Sequence, residues 1–257
     1  MIISVRVIFL SIIALLSFLG FVSSFSTQIA PETTAIQRQR VKKVLDEVYG
    51  TDNSDQWNQR RSEARSFGKE DESLNIPQHE LVYGELGLDA LATIIDAVGV
   101  RKGDHFLDIG AGDGILVTGA SMLYPEFLEA SVGVEIVPDL YERSLDFQSR
   151  LEGALGTEES EQDTNIRLCP QTSLRLGNCY EPDDELKEIF AKTTLAVCFA
   201  TTWSHDIPGR KLENLSKALG SNGGSELPSG ARLVTIDGVL DHERDGFEFE
   251  GELKLYW

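Results

Sequence analysis

The sequence predicts an α/β fold: a mainly parallel sheet with helices on both faces and a C-terminal antiparallel strand or hairpin. Three observations carry the prediction. Short apolar runs of strand length alternate with segments of helical spacing between residues 86 and 237. One of those runs ends in Asp108 and passes into three alternating glycines, Gly110, Gly112 and Gly114, and then into a helical segment. The chain has 257 residues, enough for one such domain with extensions and a proper core.

Taken in order, Arg6 precedes an apolar stretch over residues 7–22, and Val22-Ser23-Ser24 offers small or tolerated residues for cleavage. This reads as a secretory signal peptide, with a short membrane anchor as the alternative. Phe25, then hydroxyl-rich and basic residues up to Lys43, are similar to the two-part plastid presequence of algae with secondary plastids. Either route leads away from the nucleus. Residues 37–49 have helical spacing, with Val41, Val44, Leu45 and Val48 on one face. Residues 51–77 are polar and charged and read as a loop or linker. Residues 86–98 repeat Leu88, Leu91, Ile94, Ile95 and Val98 as an amphipathic helix that Gly99 stops.

Lys102-Gly103-Asp104 turns into a first strand over 105–109, followed by the glycines and a helix over 115–123. A second strand covers 130–135, and Pro138 opens a helix running to about residue 151. After an acidic loop (152–163), the third strand falls at 166–169 or 174–176. A helix at 185–191, a strand at 195–200, a helix at 212–219 and a strand at 232–237 complete the alternation. Residues 246–257 alternate Phe247, Phe249, Leu253 and Leu255 as one long strand with no partner behind it, so the expectation is either a shorter hairpin turning at Glu250-Gly251 or a truncated chain with an incomplete sheet. The expected division is 1–24 address, 25–77 targeting segment, helix and linker, and 78–257 folded domain.

The strand–glycine–helix junction is a nucleotide-type pocket, placed at the carboxyl ends of the strands. A dinucleotide fingerprint spaces its glycines G-x-G-x-x-G. Here the third glycine comes one residue early, and Asp108 sits before the loop, where it would repel a pyrophosphate. A cationic ligand suits that acid better. S-adenosylmethionine carries an ammonium and a sulfonium and no phosphate. A second acid, Glu135, ends the next strand, where a ribose-binding carboxylate is expected. The competing readings are a nicotinamide site and a glycine-rich turn flanked by two solvated carboxylates.

The formal charge of −19 does not favour direct nucleic-acid binding, which needs Lys and Arg on phosphates. It is compatible with a basic protein tail or a cationic small substrate, and equally with plain solubility. Cys169, Cys179 and Cys198 lack metal-type pairing, Cys198 reads as core, and the four histidines do not cluster, so no metal is expected.

With these residues in view, the chain resembles the class I, Rossmann-like S-adenosylmethionine-dependent methyltransferases. More narrowly it resembles the disruptor-of-telomeric-silencing family, histone lysine methyltransferases without a SET domain. The carriers are Val82-Tyr83-Gly84-Glu85-Leu86, Lys102-Gly103-Asp104, the run from Asp108 to Gly114, Gly133-Val134-Glu135-Ile136 and Pro228-Ser229-Gly230-Ala231-Arg232-Leu233-Val234. The resemblance implies that Tyr83 and Glu85 belong to the loop closing over the donor's methionine part. It implies that Asp108 and Gly110 meet its amino-acid end, with Gly112 in the same loop, and that Glu135 takes both ribose hydroxyls. Gly177-Asn178-Cys179 stands in place of the family's Gly-Asp-Phe at the adenine, where Asn178 can still offer an amide oxygen. Plainer roles stay open: a core aromatic at Tyr83, a helix-start acid at Glu85, a turn residue at Asn178.

The family ends its fourth strand with asparagines beside the transferring methyl. This chain reads Cys198-Phe199-Ala200-Thr201-Thr202-Trp203 there. Thr201, Thr202 and Trp203, with Tyr83, are the candidates to line an acceptor channel; strand-end capping and core filling are the alternative for the three. His205 and Asp206 follow as a candidate base pair or a surface turn. The expected acceptor is a protein lysine or a small molecule, with membrane contact only if the N-terminal segment is retained.

Overall fold

The computed structural model describes residues 2–10, 28–50, 54–70, 81, 83–84, 86–155, 166–199, 211–220, 227–241 and 247–256. Among the described residues, seven strands form one sheet: β1 (Ile2–Leu10), β2 (Asp104–Ile109), β3 (Leu128–Glu135), β4 (Gln171–Leu176), β5 (Leu195–Phe199), β6 (Arg232–Ile236) and β7 (Phe247–Tyr256). Their order across the sheet is β4-β3-β2-β5-β6-β1-β7. The five strands from β4 to β6 are all parallel. The helices among the described residues are α1 (Ala35–Tyr49), α2 (Ser54–Glu70), α3 (Leu88–Val98), α4 (Ile115–Leu123), α5 (Pro138–Leu155), α6 (Asp184–Lys192) and α7 (Glu213–Leu219). The result is a Rossmann-like sheet wrapped on both faces, as the alternation of elements requires.

The central strands are apolar on both sides because helices cover both. One core, with Phe106, Leu195, Val197 and Val234, lies under α1, α3 and α4; the other, with Leu107, Ile109, Ala196 and Leu233, lies under α6 and α7. Cys198 is fully buried in the second core. The chain runs outward from β2 through β3 to β4, then crosses back to β5 and β6 on the other side of β2. That reversal opens a crevice at the carboxyl ends of β2 and β5, where ligands of such sheets sit. At the opposite end, buried Arg232 bonds Asp104 and the Gly99 carbonyl, tying β6 to β2 and to the end of α3.

Two expectations need correction. Residues 51–77 were expected to form a loop with little core, yet Ser54–Glu70 is the helix α2. It is seated chiefly by charge, as described below, so no apolar stripe betrays it. The C-terminal strand does not turn back at Glu250-Gly251 either. β7 is continuous, and its antiparallel partner is β1, which lies between β6 and β7. The β1 register shifts between Val7 and Ile8, opposite Gly251 and Phe249, so Glu250 is the extra residue of a bulge. The sequence of β1, IISVRVIFL, is rich in β-branched residues and suits a strand paired on both edges. The rest of the 7–22 apolar stretch lies outside the described residues. No described helix is long and apolar enough to cross a membrane.

α1 is packed into the body. Val41, Leu45, Val48 and Tyr49 join the first core, and the Tyr49 hydroxyl pairs with Thr118 Oγ1 of α4 at 3.1 Å. The third strand resolves as β4, a half-exposed sheet edge, rather than residues 166–169.

Candidate functional site

The glycine loop is built by hydrogen bonds to the strand beside it. The amides of Gly110 and Ala111 both donate to the Val134 carbonyl, and Gly114 N donates to Ala111 O, closing the turn into α4. Gly112 has φ +54°, and a Cβ there would lie 2.8 Å from Cε2 of Tyr83, so the loop needs glycine both for its conformation and for the ring above it. Gly133 serves packing: a Cβ there would meet Ala111 and Val117, each at 2.7 Å.

Glu135 ends β3 and is 5% exposed. Its Oε2 accepts from Gly112 N at 2.7 Å, and its Oε1 accepts from Ile136 N at 2.9 Å and Val137 N at 2.8 Å. Burial pushes this carboxyl above its ordinary range; the three amides oppose the shift and nearby Asp113 adds to it. A carboxylate accepts in about four directions. Three are taken, leaving one on Oε2 for a ribose hydroxyl; a second hydroxyl has to share an acceptor with a backbone amide. The expectation of a carboxylate free for both hydroxyls is refined accordingly.

Asp108, one strand over and 1% exposed, is different. Its Oδ2 is buried without a hydrogen-bond partner. Burial, and next the charge of Glu135, push its carboxyl up to about 7. A buried acid with an open acceptor, beside a second acid, is a site for a cation.

The two acids serve adjoining compartments. The larger holds about 730 Å³ of atom-free space, its open mouth included, and is lined by Tyr83, Gly110, Gly112, Glu135, Asn178 and Cys179, with apolar walls from Ile136, Leu140 and Phe199. The smaller is lined by Asp108 and shares Tyr83, Gly84, Gly110, Gly112 and Phe199 with the first. A ligand with a flat, uncharged ring, a ribose and a cationic tail matches this sequence of apolar slot, Glu135 and Asp108. S-adenosylmethionine has those parts, and the residues present fit it.

The structure thus brings together Tyr83, Asp108, Gly110, Gly112, Glu135, Asn178 and Cys179 around one crevice. Asn178 Oδ1 accepts from Tyr180 N at 2.9 Å, an Asx turn that leaves one lone pair for an adenine amine. Glu85, Thr201, Thr202, Trp203, His205 and Asp206 lie outside the described residues. Among the described residues no group of His, Cys, Asp and Glu could hold a metal.

Sequence reasoning missed one wall of the crevice. Tyr83 is packed beneath α2: Trp57 meets its ring edge-on at 5.9 Å between centroids, and the Arg60 guanidinium carbon lies 5.6 Å from its ring centre. Arg60 Nε is 2.6 Å from Oδ2 of buried Asp113, whose Oδ1 accepts from Arg143 Nε at 2.9 Å. Arg143 also bonds Glu63 of α2 at 2.8 Å. Burial pushes the Asp113 carboxyl up, and the two guanidiniums oppose it. Ala64 of α2 and Tyr180 also line the larger compartment.

With fold and crevice defined, the class is that of a Rossmann-like protein with an adenosyl-type site. Residues 73–158, about a third of the chain, match the family model described as Histone methylation protein DOT1. The chain therefore resembles the DOT1 type of class I methyltransferase, as its motifs imply. No curated protein matches it. Among solved structures, the YcgJ protein of Bacillus subtilis is 14% identical, with 50% of this chain and 43% of that one covered and a TM-score of 0.32. A putative methyltransferase of Bacillus halodurans is 14% identical, with 47% and 41% covered and a TM-score of 0.29. The rRNA methyltransferase aviRa of Streptomyces viridochromogenes is 14% identical, with 60% and 74% covered and a TM-score of 0.41. The chain spans about two fifths of the length of the first two. Such values carry no substrate from those proteins to this one.

Proposed function

We propose that this chain is an S-adenosylmethionine-dependent methyltransferase. The observation that carries the reading is the open acceptor of buried Asp108, one strand from Glu135 in adjoining compartments of one crevice. Asp108 is suited to the donor's ammonium, Glu135 to a ribose hydroxyl, and Ile136, Leu140 and Asn178 to the adenine. The bound donor supplies an already activated methyl on a sulfonium. The protein's part is then to orient the acceptor in line with it and to exclude water.

For the acceptor, the DOT1 match supports a protein lysine amine, which must lose its proton before attack; a dry channel helps by lowering its pKa. The second reading is a small molecule or another protein side chain. It is favoured by Cys198-Phe199-Ala200-Thr201-Thr202-Trp203, which offers no asparagine where the resembled family has them. Tyr83, Thr201 and Trp203 remain the candidates to line the acceptor channel. We also propose that residues 1–24 act as a secretory address, with a plastid as the destination. Cleavage would remove β1, so a cleaved address and a mature chain with β1 in its sheet exclude each other. N-terminal sequencing of the mature protein decides between them.

The test is transfer of labelled methyl from the donor into cell and organelle extracts. Label in lysines of histones or other proteins supports the first acceptor, and label in small metabolites the second. Donor binding with no labelling reduces the protein to a binding module. No donor binding at all defeats the proposal.

A further inference from the structure

We infer that α2 is an intrinsic wall of the donor site and that Arg60 is the positioning residue that holds it there. The inference rests on the donor reading of the crevice and extends it to a segment outside the 73–158 region that matches the family model.

The residues of α2 that face the body are Trp57, Arg60, Ala64 and Phe67, at helical spacing. Among them Arg60, 3% exposed, and Ala64, 2% exposed, are the fully buried ones. Where a helix of an ordinary core would place a leucine, α2 places a guanidinium. That guanidinium makes two contacts that matter to the site. It pairs with Asp113, the residue after Gly112, and it lies against Tyr83, the ring that rests on Gly112. Gly112 in turn donates to Glu135. Arg60 therefore holds, from one point, the loop that orients the proposed ribose acid and the aromatic that roofs it.

The charges give the same assignment. Asp108, Asp113 and Glu135 are three buried carboxylates within one loop and two strand ends. Asp113 acts on Glu135 so as to disfavour its ionised form. Arg60 and Arg143 offset Asp113, so the negative field left in the crevice is that of Asp108 and Glu135. Removing Arg60 leaves Asp113 half-compensated, frees the Tyr83 ring and weakens Glu135 as an acceptor, all without touching the donor.

The experiment compares donor binding by the full chain carrying Arg60→Met and Arg60→Lys, using S-adenosylhomocysteine in calorimetry, and donor KM against kcat where an acceptor is in hand. Arg60→Met is expected to weaken the donor at least tenfold in Kd and KM with kcat within twofold. Arg60→Lys, which keeps the charge, should recover most of that loss. Hydrogen exchange on the unaltered chain needs no variant: donor should slow amide exchange in residues 54–70. Equal donor affinity in Arg60→Met, or no protection of α2 by bound donor, overturns the inference and leaves the donor reading intact. An unaltered chain that binds no donor overturns both.

Discussion

Asp108→Asn should make the protein more stable above neutral pH while weakening donor binding. A carboxyl moved by burial from 3.8 to about 7 costs ~4 kcal/mol when it must be ionised in the folded state. The sign follows from proton counts. Between those two values the folded chain binds the proton and the unfolded chain does not, so stability falls as pH rises and the cost is complete just above 7. Asparagine carries no such charge but leaves a buried amide short of partners, at about 1–3 kcal/mol. The net gain at pH 8 is then roughly 1–3 kcal/mol, or several degrees in Tm for a chain of this size. The unpaired amide costs the same at every pH, so the advantage should shrink by ~2 kcal/mol between pH 8 and pH 5.5. Urea denaturation of both proteins at the two pH values measures this. Calorimetry with S-adenosylhomocysteine should show binding at least ~30-fold weaker, the expected loss of one partner of a buried charge pair. A stability difference that does not change with pH, or a variant that still binds the ligand normally, would refute the argument.

Four further expectations follow from the same geometry. Donor affinity of the unaltered chain should fall about tenfold per pH unit below about 7, because Asp108 must release its proton to meet an ammonium; calorimetry in buffers of different ionisation heat counts that proton. Glu135→Ala strands the amides of Gly112, Ile136 and Val137 and should cost ~2–4 kcal/mol in urea denaturation as well as donor affinity. Gly112→Ala sets a Cβ at φ +54° and 2.8 Å from the Tyr83 ring, for a loss of ~1–3 kcal/mol that Tyr83→Leu should partly relieve. Deleting residues 1–24, the step signal cleavage would take, removes β1 and leaves β6 and β7 unpaired along facing edges; light scattering should then report association, and a stable monomer would contradict the place of β1 in the sheet.

What the sequence made legible was whatever carried a single periodic signal. β2, β3, β5 and β6 are apolar on both faces and read as strands without ambiguity. The loop from Gly110 to Gly114 has one sensible geometry. β4 was harder because it is a sheet edge whose residues are half-exposed and mixed in polarity. α2 escaped because Arg60 interrupts the apolar face that Trp57, Ala64 and Phe67 would otherwise mark, so in a polar and charged segment no helical stripe stood out. β1 escaped for the opposite reason. Its last four residues, Val7 to Leu10, open the apolar 7–22 stretch, and such a run is equally a strand paired on both sides and the core of an export signal, which periodicity does not separate. Asp113 was overlooked inside a glycine motif, although an acid between two glycines at a helix start needs a partner once it is buried.

The three buried carboxylates divide by how they are satisfied, and that division separates structure from function more sharply than any motif. Asp113 is compensated by two guanidiniums, Arg60 at 2.6 Å from Oδ2 and Arg143 at 2.9 Å from Oδ1, so its charge is paired even though Oδ2 lacks a well-aligned hydrogen bond. Glu135 meets three backbone amides and keeps one acceptor direction. Asp108 keeps an oxygen with neither a hydrogen bond nor a cation beside it among the described residues, in a chain that places Arg60 and Arg143 within reach of the same loop and gives both to Asp113. Selection for stability alone would move a cation to Asp108 or replace it with an uncharged residue. An arrangement that tolerates the cost at one acid while neutralising its neighbour is what a cation-binding ligand requires, since only the acid left open can reward that ligand for entering.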